Sequence, residues 1–300
     1  MARKKRRRKK REKSLHPSQG RVNALVNLYQ SGQMNKAEQA CRELLKTYPQ
    51  SLTVLNVLGA VLAGQGQLQQ AVQVFNQMIR LKPDHTEAYC NRGVALTELG
   101  QLEAALDSCN MAIQHQSNFA EAYYNRGVAL TELGQLEAAV ESYNKAIELK
   151  PDYTEVYINR GNALRDLKQL EKALASYDQA IQHQPAEAYS NRGVVLRELG
   201  QLEAALESYD QAIQLLPDNA QAYCNRGVAL RELGQVEEAM ASCNRAIELQ
   251  PDLAEAHSNL SLVLLLLGDL KNGWPEYEYG KLIKIDQRRV VTAPYPLWTG

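Results

Sequence analysis

Small, apolar and polar positions recur along this chain with a period of 34 residues. The string Tyr-x-Asn-Arg-Gly-Val-Ala-Leu begins at Tyr89, Tyr123 and Tyr223, with close variants at Tyr157 and Tyr189. One step is 32 residues instead of 34. Eight units can be laid out, starting at Ser18, Leu52, Thr86, Ala120, Thr154, Ala186, Ala220 and Ala254. Position 11 is Leu in every unit, from Leu28 to Leu264. Each unit reads as two amphipathic helices, the pattern expected of a stacked array rather than of one globular core.

The small residues mark where those helices stop and touch. Position 15 is Gly in seven units, with Lys168 the exception. Glycine suits the left-handed residue that closes a helix, so the first helix is expected to end there. Position 8 is Gly in six units, Gly59, Gly93, Gly127, Gly161, Gly193 and Gly227. A glycine inside a helix costs about 1 kcal/mol relative to Ala, so the paired helix is expected to pass too close for a side chain. Position 20 is Ala in seven units, and position 24 is mostly Cys, Phe or Tyr. Pro at position 32, as in Pro151 and Pro217, ends the second helix.

Aromatic, Gly, Leu, then Ala, aromatic and Pro at these offsets resemble the tetratricopeptide repeat, over about 270 of the 300 residues. The resemblance implies an all-α, right-handed α-solenoid of about eight helix-turn-helix units. The units run 18–51, 52–85, 86–119, 120–153, 154–185, 186–219 and 220–253, with a degenerate 254–285. A basic tail (1–17) precedes them, and 286–300 is expected to be a linker or the start of a further domain. The departures are Ser117 for Pro in the third unit, the two-residue shortening of the fifth, and Ser261, Gly273 and Gly280 in the eighth.

In that family, positions 2, 5, 6, 9, 12 and 13 of the first helices face a concave groove. Here position 6 is Asn in six consecutive units: Asn91, Asn125, Asn159, Asn191, Asn225 and Asn259. Asn is a mediocre helix former, and its amide carries the donor and acceptor that an extended peptide backbone needs. The column is similar to the one lining the superhelix of the O-linked N-acetylglucosamine transferase family. A bland reading stands beside it, in which Asn was copied with a duplicated unit. Tyr124 at position 5 and Arg165, Arg197 and Arg231 at position 12 complete the candidate groove residues. Acids at positions 2 and 13 surround them. Arg at position 7, where the family commonly has Leu, is expected to lay its stem on the core and pair with a nearby acid.

Composition adjusts this picture in three ways. Residues 1–13 hold ten Lys/Arg and one Glu, so the remaining chain holds 24 basic against 33 acidic residues under a formal net charge of zero. The tail could touch nucleic acid or an anionic surface, or serve only to solubilise. Cys41, Cys90, Cys109, Cys224 and Cys243 show no C-x-x-C pair and point to reduced thiols in a cytoplasmic protein. The longest apolar run, Leu262–Leu267, is too short for a membrane span. Neither a phosphate loop nor a catalytic motif is found, so no cofactor, metal or active site is expected in these residues.

Two functional expectations follow. The first is a protein-interaction scaffold whose groove binds an extended peptide or partner helix. The second rests on Gly273-Trp274-Pro275-Glu276-Tyr277-Glu278 and on Pro294-Tyr295-Pro296-Leu297-Trp298-Thr299-Gly300. These resemble the junction between such repeats and a glycosyltransferase domain in bacterial proteins. That resemblance implies the acceptor-recognition arm of an enzyme whose catalytic domain is not among these residues.

Overall fold

The computed structural model describes residues 17–183 and 185–288, with side chains as far as Leu282. Most of the basic tail and nearly all of the expected linker lie outside the described residues. Among the described residues, sixteen α-helices alternate with short turns and no strand forms. The architecture is an all-α solenoid of helix pairs.

Two compact units can be distinguished, one up to Val156 and one from Tyr157 on. The first holds α1 (Gln19–Gln30), α2 (Met34–Thr47), α3 (Leu52–Gly64), α4 (Leu68–Leu81), α5 (Thr86–Glu98), α6 (Leu102–His115), α7 (Ala120–Glu132) and α8 (Leu136–Leu149). The boundary falls within α9 (Thr154–Asp166). The second continues through α10 (Leu170–Ala180), α11 (Ala186–Glu198), α12 (Leu202–Leu215), α13 (Ala220–Glu232), α14 (Val236–Leu249), α15 (Ala254–Leu266) and α16 (Leu270–Arg288). In the first unit α1 touches α3, α3 touches α5 and α5 touches α7. In the second, α11 touches α13 and α13 touches α15. Within each unit the first helices of neighbouring pairs therefore form a continuous face.

The glycines act as the pattern requires. Gly100 closes α5 at φ +71°, its N–H bonding Thr97 O at 2.9 Å while Gln101 N–H bonds Leu96 O at 2.9 Å. This pair of bonds satisfies carbonyls that the helix end would otherwise leave bare. Lys168 must adopt the same left-handed conformation at φ 61°, the one described non-glycine residue to do so. The cost to an L-residue is roughly 1–2 kcal/mol. At position 8 the reason for glycine is contact. An ideal Cβ on Gly161 would lie 2.6 Å from Tyr177 Cε1, and one on Gly93 would lie 2.9 Å from Cys109 Sγ. The side chain at position 24 thus occupies the volume that the glycine leaves.

Two irregularities have local causes. The shortened fifth repeat ends α10 at Ala180 and continues as a 3₁₀ turn, Ile181–His183, with Pro185 directly preceding α11. A 3₁₀ turn rises about 2.0 Å per residue against 1.5 Å in an α-helix, so these three residues make up part of the span that the two missing residues would cover. At the other end α16 begins at Leu270, ahead of Gly273, and carries Pro275 inside it. Leu266 at the end of α15 and Leu270 and Trp274 of α16 are 66%, 59% and 49% exposed, an apolar end surface.

Candidate functional site

The first-helix face gathers the expected groove positions. In the first unit a cavity of about 190 Å³ is lined by Val94, Thr97 and Glu98 of α5 and by Tyr124, Asn125 and Val128 of α7. These are positions 9, 12 and 13 of one repeat and 5, 6 and 9 of the next. Val94 is 38% exposed, because valine at position 9 points away from the helix pair. A larger hollow of about 490 Å³ lies over α2 alone, lined by polar side chains such as the paired Glu38 and Arg42. It lacks the convergence of two elements.

Tyr124 forms the aromatic wall of the smaller cavity. Its ring centroid is 5.2 Å from that of Tyr153 and 6.2 Å from that of Tyr143. Lys150 holds its ammonium 4.3 Å from the Tyr153 ring and 3.9 Å from the Glu121 carboxylate. Burial pushes the Tyr143 phenol up to about 12, opposed by its hydrogen bond with Thr131 Oγ1 at 3.1 Å.

The asparagine column is half-buried, and several of its amides already hold neighbouring repeats together. Asn91 donates to Asn56 Oδ1 at 2.9 Å, Asn125 to Cys90 Sγ at 3.0 Å and Asn259 to Cys224 Sγ at 3.3 Å. Each acceptor sits at position 5 of the preceding repeat. Asn191 uses position 9 instead, donating to Asn162 Oδ1 at 3.2 Å, and Asn225 accepts from Gln221 at 3.2 Å. Asn159 occupies the same register on α9. One such bond uses a fraction of an amide that offers two donors and an acceptor with two lone pairs.

The three arginines at position 12 differ in their partners. Arg165 binds the neighbouring Asp166 at 3.2 Å, and Arg197 binds Glu232 of the next repeat at 3.0 Å. The equivalent of Glu232 one repeat on is Leu266. Among the described residues Arg231 Nε is buried without an acceptor.

Arg at position 7 stays out of the groove, as expected of a packing residue, but its partners are broader than acids. Arg192 donates to Asp178 Oδ1 and Ser208 Oγ, both at 2.7 Å, and Arg226 to Asp210 and Ser242 at the same distance. Arg92 uses the neutral Asn76 at 2.7 Å with Ser108 at 3.1 Å. The serine at position 23, which the motif reading passed over, is the common partner. Its signal was a small polar residue recurring beside the core cysteine or tyrosine at position 24.

Burial raises the Cys90 thiol to about 12, with Asn125 lowering it and Glu121 and Glu87 raising it further. All five cysteines are buried and unpaired. Among the described residues, no group of three or more His, Cys, Asp and Glu side chains could hold a metal ion, and no helix is long and apolar enough to cross a membrane.

Comparison with known proteins fits this architecture. Tetratricopeptide-repeat models match residues 24–51, 86–119, 120–153, 154–185 and 220–253, and a further TPR-repeat model matches 59–100 and 193–234. No curated protein sequence matches the chain. The solved structure of YrrB, a TPR protein described as having an unusual peptide-binding site, is 26% identical at a TM-score of 0.51. The match covers 61% of this chain and 95% of YrrB. A TPR protein from Parabacteroides merdae ATCC 43184 is 18% identical at a TM-score of 0.61, covering 84% of this chain and 96% of that one. The APC/C Cut9–Hcn1 hetero-tetramer gives a TM-score of 0.63 at 17% identity, over 83% of this chain and 50% of that one. The last two show shared fold. The chain belongs to the tetratricopeptide-repeat family.

Proposed function

We propose that this protein is an interaction scaffold that holds an extended peptide along the first-helix face, anchored between α5 and α7. The observation that carries this reading is the cavity walled by Val94, Tyr124, Asn125 and Val128. At about 190 Å³ it is smaller than the roughly 300–1,000 Å³ of small-molecule clefts, and it suits a single peptide side chain. Asn125 in its wall supplies hydrogen-bonding capacity beyond its bond to Cys90, and in the second unit the position-12 arginines give that unit's own first-helix face a polar lining. YrrB, a relative with a peptide-binding site, supports the same class of ligand. Five unpaired thiols favour a reducing, cytoplasmic setting. No catalytic role is assigned to these residues.

Peptides selected from a random display library on the whole chain test this reading. Val94→Arg with Val128→Arg should weaken the selected peptides at least ten-fold while far-ultraviolet circular dichroism stays unchanged. Equal binding to the folded variant would remove the reading.

A second reading makes the array the acceptor-recognition arm of a glycosyltransferase. The observation favouring it is the apolar end surface of Leu266, Leu270 and Trp274, which further protein would cover. Reading the gene beyond Gly300 tests it: a glycosyltransferase-like frame supports it and an immediate stop codon removes it.

A further inference from the structure

Carboxylates on the first-helix face of the first unit are unevenly placed. Positions 2, 5, 6, 9, 12 and 13 of α1 and α3 carry none. The same positions carry Glu87 and Glu98 on α5 and Glu121 and Glu132 on α7, with no Lys or Arg among them. Arg92 and Arg126 on these helices are engaged elsewhere, with Ser108 and Ser142 at 3.1 and 3.0 Å. Glu87, Glu98 and Glu132 are exposed, and Glu121 shares Lys150 at 3.9 Å. The groove around the cavity is therefore acidic, and the Tyr124 ring, Val94 and Val128 line the cavity itself.

The same chain carries a segment of opposite charge. Residues 3–11 are nine consecutive Lys/Arg, and residues 1–13 as a whole carry a net +9 against −9 for the rest. We infer that this N-terminal segment is a ligand of the protein's own groove, lying across α5 and α7 in competition with an external peptide. The inference rests on the groove reading above.

Reach supports it. Packed helices lie roughly 8–10 Å apart, and α1, α3, α5 and α7 touch in succession. From the start of α1, then, α5 lies about 20 Å away and α7 about 30 Å. Residues 3–11 precede Pro17 by 6 to 14 residues. At about 3.3 Å per extended residue they sweep the interval from about 20 to 46 Å. A segment of that reach can span the uncharged faces of α1 and α3 to the carboxylates that begin on α5. Aromatic and carboxylate walls together suit a Lys or Arg side chain, whose cation is drawn to a ring face and whose stem covers apolar surface.

Tethering makes modest affinity sufficient. A short flexible tether gives an effective concentration on the order of 1 mM. A tail with a dissociation constant of about 0.1 mM would then fill the groove about nine-tenths of the time and weaken an outside ligand about ten-fold.

The probe is a fluorescent synthetic peptide of residues 1–13, titrated into the full chain and into a chain lacking residues 2–13. Binding to the truncated chain is expected to be at least five-fold tighter than to the full chain and to weaken steeply between 50 and 300 mM salt. Glu98→Gln with Glu132→Gln should weaken it at least five-fold. Absence of binding to the truncated chain, or equal binding to both chains, would overturn the inference. So would capture of a homopolymer RNA by the full chain that depends on residues 2–13 while the truncated chain ignores the peptide. If library-selected peptides still need Val94 and Val128 in those cases, the groove reading survives and only the tail's role is lost.

Discussion

Asn125 donates a side-chain N–H to the sulfur of Cys90 at 3.0 Å, tying α7 to α5 at the edge of the cavity. The residue proposed to meet a ligand therefore also joins two repeats. A net hydrogen bond contributes roughly 0.5–1.5 kcal/mol. Cys90→Ala should lower stability by about 1 kcal/mol in urea unfolding, and Cys90→Ser, which keeps an acceptor, by less. In an Asn125→Ala background the cost of Cys90→Ala should shrink, since the bond is already gone. Full additivity of the two changes would show that the bond contributes nothing.

The packing of glycine under tyrosine gives a sharper contrast. A Cβ on Gly127 would lie 2.4 Å from Tyr143 Cε1. Gly→Ala in an ordinary helix gains up to about 1 kcal/mol, whereas overfilling a packed contact costs roughly 1–3 kcal/mol. Gly127→Ala is expected to destabilise. Combined with Tyr143→Ala it should cost less than the sum of the single changes, measured by calorimetry. A stabilising Gly127→Ala would mean that the ring moves aside freely.

Arg231 gives a test by addition. Its counterpart Arg197 has Glu232 at 3.0 Å, while the corresponding position beside Arg231 is Leu266, 66% exposed. Leu266→Glu should raise stability by about 0.5 kcal/mol, the usual scale of a partly exposed pair. The gain should disappear in 1 M salt, where the screening length is about 3 Å. A gain that persists in high salt would belong to the loss of exposed leucine and not to the pair.

Alkaline pH should loosen the array. Burial raises Cys90, Cys109 and Cys243 to about 12 and Cys41 and Cys224 to about 11, from 9.0, and raises Tyr143 and Tyr209 to about 12 from 10.0. The folded protein holds these protons more tightly than the unfolded chain. Their stabilisation is complete below about pH 9 and declines as pH rises toward 12. Urea midpoints should be level from about pH 7 to 8.5 and fall above pH 9. An aromatic disulfide reagent at pH 8 should find no fast-reacting thiol until urea is added. A midpoint that rises between pH 9 and 11 would contradict this assignment.

Much of the fold was legible because the repeat restates each constraint several times. Gly100 and its equivalents announced the helix ends, and Gly161 announced the close partner later seen in Tyr177. The expectation that Arg at position 7 pairs with acids held for Arg192 and Arg226, yet Arg92 and Arg126 rely on Ser and Asn. Those partners lie 16 residues away, on helices of the same and the preceding repeat, so no local periodicity joins them. The same applies to the asparagine column. Its recurrence was plain, but its acceptors change from Asn56 to Cys90 to Cys224 and cannot be read as a motif. The shortened fifth repeat was visible only as a missing pair of residues, whereas its 3₁₀ turn depends on how far the chain must travel to reach Pro185.

The claim that a ligand lies across α5 and α7 is tested most directly by methyl NMR of the valines. Titration with a library-selected peptide should shift Val94 and Val128, which line the cavity, and leave the buried Val195 and Val263 in place. Shifts confined to residues around Trp274, with Val94 and Val128 unmoved, would contradict it.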